Sequence, residues 1–205
     1  MILLELVLKN FTKMKLTKVF FCFFLFLFGT LYSQKDTIWF DSEWKKQVKD
    51  SAIYFRVLVH KEVRFKDFFH FVDYTSEGVK LKKGVSLEKE TDKFEGEVIY
   101  YGKGMYIIER KFFRNGSPFG AQKIYYQSGK LKSVKTYNFG ILTGPSKVYY
   151  EDGVLKESGS YVNNERNYEW KVYYPNRKLK EQGNYHDGKR VGVWKVYYYN
   201  GTFQN

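Results

Sequence analysis

The chain is nearly without cysteine and proline. Its 205 residues hold one Cys and 3 Pro, against 17 Gly, 19 Tyr, 19 Phe and 4 Trp. The single thiol, Cys22, lies inside an apolar N-terminal stretch. The rest of the chain therefore has no disulfide, thiolate metal site or cysteine nucleophile, and its stability comes from packing and strand pairing. Few prolines beside many aromatics and glycines favour strands joined by glycine turns over a helical bundle. Nucleotide-binding fingerprints are lacking too: Gly102-Lys103-Gly104 has no third glycine, and no phosphate loop is found. The three histidines, His60, His70 and His186, show no i, i+4 pair with an intervening Glu, so neither a metal nor a cofactor is expected. No serine sits in a strand-to-helix elbow. Acid pairs such as Glu95 with Glu97 or Glu151 with Asp152 are what is left to weigh for glycosidase chemistry, and they read as solvated surface. The chain is read as non-enzymatic.

No apolar run reaches the ~20 residues that cross a bilayer. The longest, 19–31, follows Met14-Lys15-Leu16-Thr17-Lys18 and is ended by Tyr32-Ser33-Gln34. This resembles a secretory signal peptide, so residues 1–33 are expected to be a signal, with an alternative start at Met14 and an exported product in the periplasm, at the cell surface or in the medium. Residues 34–205 carry 31 Lys and Arg against 21 Asp and Glu, a net charge of +10. The excess is concentrated: 121–205 hold 14 basic against 7 acidic residues, whereas 34–120 hold 17 against 14.

The dominant signal is an internal repeat of 24 residues. AQKIYYQSGKLKSVKTYNFGILTG begins at Ala121, and is followed without gaps by PSKVYYEDGVLKESGSYVNNERNY, EWKVYYPNRKLKEQGNYHDGKRVG and the shorter VWKVYYYNGTFQN. Lysine recurs at Lys123, Lys147, Lys171 and Lys195, each followed by a β-branched residue and two tyrosines. Upstream the pattern continues with single-residue slips around 96–101 and fades near 73–78, as end repeats do when they face solvent. Each block reads as a β-hairpin, so the predicted fold is all-β: an elongated single antiparallel sheet of stacked hairpins with period 24 and a small N-terminal cap. The array is assigned to 72–205. The cap is assigned to 34–71, with strand-like runs at 37–40, 52–59 and 68–72 and a short helix around 44–49.

Alternation along a strand divides these residues between two faces. Ile124 with Tyr126, Val148 with Tyr150, Val172 with Tyr174, and Trp194 with Val196 and Tyr198 form the face expected to pack. The other face carries a ladder of Lys123 and Tyr125, Lys147 and Tyr149, Lys171 and Tyr173, Lys195 and Tyr197, and is the candidate binding surface. Gly183 is expected to make room for the Trp170 ring, while Gly188, Gly192 and Trp194 are structural. Two partners suit the ladder: a protein docked on its aromatic anchors, or an anionic membrane surface or acidic glycan held by its lysines. Nucleic acid is a poor partner for an exported chain. A third surface is the last strand, whose edge over 195–199 is expected to stay open for strand addition or an edge-to-edge homodimer, guarded by Lys195.

The pattern G-x-W-K-x-Y-Y-x-x-G-x-L-K-x-x-G-x-Y-x-x-G-K, best kept by Trp170, Tyr173, Leu179, Gly183, Tyr185, Gly188, Gly192 and Trp194, resembles the bacterial variant of the MORN (membrane occupation and recognition nexus) repeat. Arg177, Asn164 and Tyr168 replace glycines of that pattern, and Gln122 and Ser146 replace its tryptophan. The resemblance implies an elongated curved antiparallel sheet with no catalytic residues. Members often carry antitoxin or immunity labels, which for an exported chain would mean an immunity role in the envelope.

Overall fold

The computed structural model describes residues 36–63 and 66–204, which lie within a single compact unit, with side chains at 60–66 left aside. The expected signal segment and Cys22 lie outside the described residues. The strands are β1 (Asp36–Phe40), β2 (Tyr54–Val63), β3 (Lys66–Thr75), β4 (Lys80–Ser86), β5 (Gly96–Tyr101), β6 (Ile107–Arg114) and β7 (Ser117–Tyr125). They continue as β8 (Leu131–Asn138), β9 (Ile141–Leu142), β10 (Gly144–Tyr149), β11 (Leu155–Val162), β12 (Glu165–Tyr173), β13 (Leu179–His186) and β14 (Lys189–Val196). All fourteen form one antiparallel sheet in chain order, with β9 paired only to β8. This is the all-β stack of hairpins that the repeat implies.

The backbone keeps the 24-residue period one block further upstream than the side chains do. Tyr101 pairs with Ile107 as Tyr125 pairs with Leu131, Tyr149 with Leu155 and Tyr173 with Leu179. The Gly102 N–H bonds to the Tyr106 carbonyl as Tyr126 does to Lys130. The single-residue slip expected around 96–101 is therefore not a slip of the chain. Gly102 occupies the place of the second tyrosine, and the Tyr106 ring lies against its backbone.

Two-residue turns at Asn115–Gly116, Phe139–Gly140, Asn163–Asn164 and Asp187–Gly188 have positive φ at both positions, the combination whose twist matches that of the flanking strands. A second positive-φ series runs through Met105, Gly129, Gly153, Arg177 and Gly201, and a third through Gly96, Gly120, Gly144, Tyr168 and Gly192. Arg177 (φ 66°), Asn164 (φ 72°) and Tyr168 (φ 64°) thus take the conformation of the glycines they replace. For a side chain other than glycine or asparagine this costs roughly 1–2 kcal/mol. The array imposes its geometry on these positions.

The well-buried apolar core sits at the N-terminal end. Ile38, Phe40, Leu58, Phe69, Phe71, Phe94 and Val98 form it, flanked by Trp44, Tyr54, Tyr100 and Phe113. Residues 87–95 cross this part of the sheet, and Phe94 stacks on Phe71 with ring centroids 5.1 Å apart. The helix expected around 44–49 is absent. Trp44 has positive φ and stacks on Tyr54 at 4.7 Å, and Lys46 bridges to Phe40 on the outer edge of β1. One 3₁₀ turn follows at Lys49–Ser51. Edge pairing and aromatic stacking outweigh the weak helical preference of this segment.

Candidate functional site

In an antiparallel pair, residues directly opposite share a face, so the register fixes both surfaces. One transverse row reads Val57, Val72, Lys83, Ile99, Arg110, Lys123, Val134, Lys147, Ser158, Lys171, Gln182, Lys195. The four predicted lysines are therefore brought together, one on every second strand from β7 to β14. Beside them runs an aromatic stripe. Trp39 packs on Phe55 (5.1 Å) and Phe55 on Tyr74 (5.0 Å), and the line continues through Tyr101, Tyr125, Tyr149, Tyr173 and Tyr197. Lys123 and Tyr125 line one shallow cleft with Glu97, Ile107, Arg110 and Gly129. The first two aromatic positions of the stripe, Trp39 and Phe55, carry no repeat signature in the sequence; only strand register aligns them with the later tyrosines.

The ladder is not electrostatically uniform. Lys171 Nζ lies 2.8 Å from Glu169 Oε2, and Arg110 lies 3.0 Å from Glu97. Lys83, Lys123, Lys147 and Lys195 are exposed and, among the described residues, have neither a carboxylate nor a ring partner.

The opposite face holds its cations differently. Arg166 lies 4.0 Å over Trp170 and 2.9 Å from Glu157. One repeat later, Arg190 lies 3.9 Å over Trp194 and 3.1 Å from Glu181. Lys132, Lys156 and Lys180 rest over Tyr126, Tyr150 and Tyr174 at 5.3–5.8 Å. These cations serve as covers for rings, which packs this face as expected without a second layer. The hydroxyls of Tyr126, Tyr150 and Tyr174 reach the backbone carbonyls of Tyr149, Tyr173 and Tyr197, at 2.7, 2.8 and 3.0 Å. Each second tyrosine thus fastens its repeat to the next. The expected place of Tyr198 among them is not observed: it is 56% exposed.

Trp170 is placed over a different glycine from the one predicted. It is opposite Gly183 in register, but its ring lies on Gly159, and the Trp194 ring lies on Gly183. The reason is the irregular register of β11 and β12 between Ser158 and Ser160, where Tyr168 takes positive φ and the indole turns back across the earlier strand. Trp170 is 1% exposed, and its Nε1 donates to the carbonyls of Ser160 and Asn167. Trp194 Nε1 is buried without an acceptor.

The open edge also differs from expectation. Tyr197 bridges to Phe203, the Tyr198 N–H bonds to the Thr202 carbonyl, and the Gln204 N–H bonds to the Val196 carbonyl. The Asn200–Gly201 turn lets 202–204 fold back, so 196–198 are paired rather than free, and among the described residues the outer edge of β14 up to Lys195 has no strand beside it. Of the acid pairs weighed for catalysis, Glu95 accepts the Asn115 N–H at 2.7 Å, Glu97 is held by Arg110, and Asp152 accepts the Val154 N–H.

The geometry defines a class: open repeat proteins in which a period of two strands presents the same side chains at a fixed step across a sheet. A family model described as MORN repeat variant matches residues 120–138, 142–163 and 167–187, so these three units are repeats of the MORN variant type. No curated protein matches the chain.

Proposed function

We propose that the protein is an exported, non-enzymatic binding scaffold whose working surface is the Lys–Tyr ladder, and that its ligand is anionic. The observation that carries this is the contrast between the faces: ring and carboxylate partners occupy the cations on one, while Lys83, Lys123, Lys147 and Lys195 on the other are unpaired. Unpaired like charges along a row repel one another, and a bound polyanion relieves that repulsion. Export is supported by the basic start and apolar run of the first 31 residues. A protein partner is the second reading, favoured by the exposed Phe112 and Val193 on the same face. Salt separates the two. Anion binding through the ladder should weaken steeply between low and moderate ionic strength and fall when Lys147 and Lys195 become Gln, whereas docking on apolar anchors should change little.

A further inference from the structure

The ladder has a fixed step and a fixed pairing of chemistry. Each repeat advances two strands, about 10 Å across the sheet, and at every step a half-buried tyrosine ring lies beside a lysine. That step is close to the length of a disaccharide in an extended polysaccharide chain. A tyrosine ring offers a flat apolar platform to the C–H face of a pyranose, and the lysine beside it offers a cation to a carboxylate on the same sugar.

Sheet twist favours a linear ligand over a planar one. Adjacent strands of a sheet are rotated by roughly 20–25°, so the lysine row, which crosses seven strands, winds around the sheet axis. The register shifts between Ile124 and Tyr125, Val148 and Tyr149, and Val172 and Tyr173 occur once per repeat and add to this twist. A flat bilayer meets only part of such a row, whereas a flexible chain laid along it follows every step.

We infer that the ladder face binds a linear acidic polysaccharide of uronic acid type, with one disaccharide per repeat, its rings over Tyr125, Tyr149, Tyr173 and Tyr197 and its carboxylates at Lys123, Lys147, Lys171 and Lys195. This deepens the anionic-ligand reading and rests on it. The Glu169 carboxylate competes for Lys171 and makes the third step the weakest.

The test uses the full chain and oligogalacturonates of two, four, six and eight sugars, with dextran as the neutral control and phosphatidylglycerol vesicles as the planar anion, followed by calorimetry. Affinity should rise at each added disaccharide up to eight sugars, with no binding of dextran. Lys123→Gln, Lys147→Gln and Lys195→Gln should each weaken the octamer roughly five-fold, and Glu169→Gln should tighten it several-fold, all with unchanged unfolding midpoints. Tyr149→Ala should weaken the octamer, and lysine variants alone cannot mimic that loss at high salt. If vesicles bind through the same lysines while oligogalacturonates do not, or if oligomer length has no effect, the polysaccharide inference is overturned and the anionic reading stands. If the lysine variants change the binding of no anion, both fall.

Discussion

The two ends of this sheet solve the problem of a single layer in different ways. At the N-terminal end a loop covers one face and closes a core in which charge itself is buried. Arg56 and Asp73, 1% and 0% exposed at their side chains, form a two-pronged pair at 2.7 and 2.8 Å, with Asp92 and Lys82 completing the cluster. Among the described residues, no loop covers the sheet in the repeats. Apolar surface is instead hidden between successive repeats, where the Trp170 and Trp194 indoles lie on a glycine of the preceding repeat and under its arginine. Burial by a lid suits a unique segment, whereas burial against the neighbouring repeat suits a motif that stacks in an array.

The contrast can be broken most forcefully at the N-terminal end. Asp73→Ala leaves Arg56 buried with the half-exposed Asp92 as its one carboxylate, beside the Thr91 carbonyl, and should lower unfolding stability by ~3–5 kcal/mol in urea titration; Arg56→Met combined with Asp73→Leu should recover most of it. In the array, Gly159→Ala places a methyl inside the Trp170 ring and should cost ~2–3 kcal/mol by the same measurement. Gly129→Ala, with open space around it, should show only the smaller penalty of its positive φ.

Weaker links sharpen the comparison. Tyr150→Phe removes the bond to the Tyr173 carbonyl and should cost ~1 kcal/mol, while Tyr198→Phe should be neutral. Tyr168→Gly relieves a positive φ at an exposed position and should raise stability by ~1 kcal/mol. The smallest effect concerns pH. Burial of Asp92 pushes its carboxyl up, but Lys82 and Arg56 outweigh this and hold it below the usual carboxylate range. Its contribution is therefore present above that range and is lost as pH falls through the depressed value. Amide exchange over 87–95 should accelerate in acid before exchange in β11–β13 does.

The repeat, its two strands per unit and the gathering of four lysines on one face were all legible in the sequence, because strand alternation and a 24-residue period are local and additive. The identity of the glycine beneath Trp170 was not. Pairing register places Gly183 opposite, and only the irregular stretch opposite Gly159, invisible as a residue pattern, sends the ring the other way. The tyrosine hydroxyls that join repeats were missed for a similar reason: their acceptors are backbone carbonyls, which carry no sequence signature. The Arg56–Asp73 pair left no trace either, since residues 17 apart meet only once β2 and β3 are in register.

The sequence by itself determined the architecture, since a hairpin period repeated in tandem admits few other solutions. It also determined which cations stand in line. Tertiary structure alone decided which of those cations are free. A lysine or arginine is neutralised by whatever ring or carboxylate the register brings beside it, and that depends on bulges and neighbouring strands rather than on the residue's own position in the repeat.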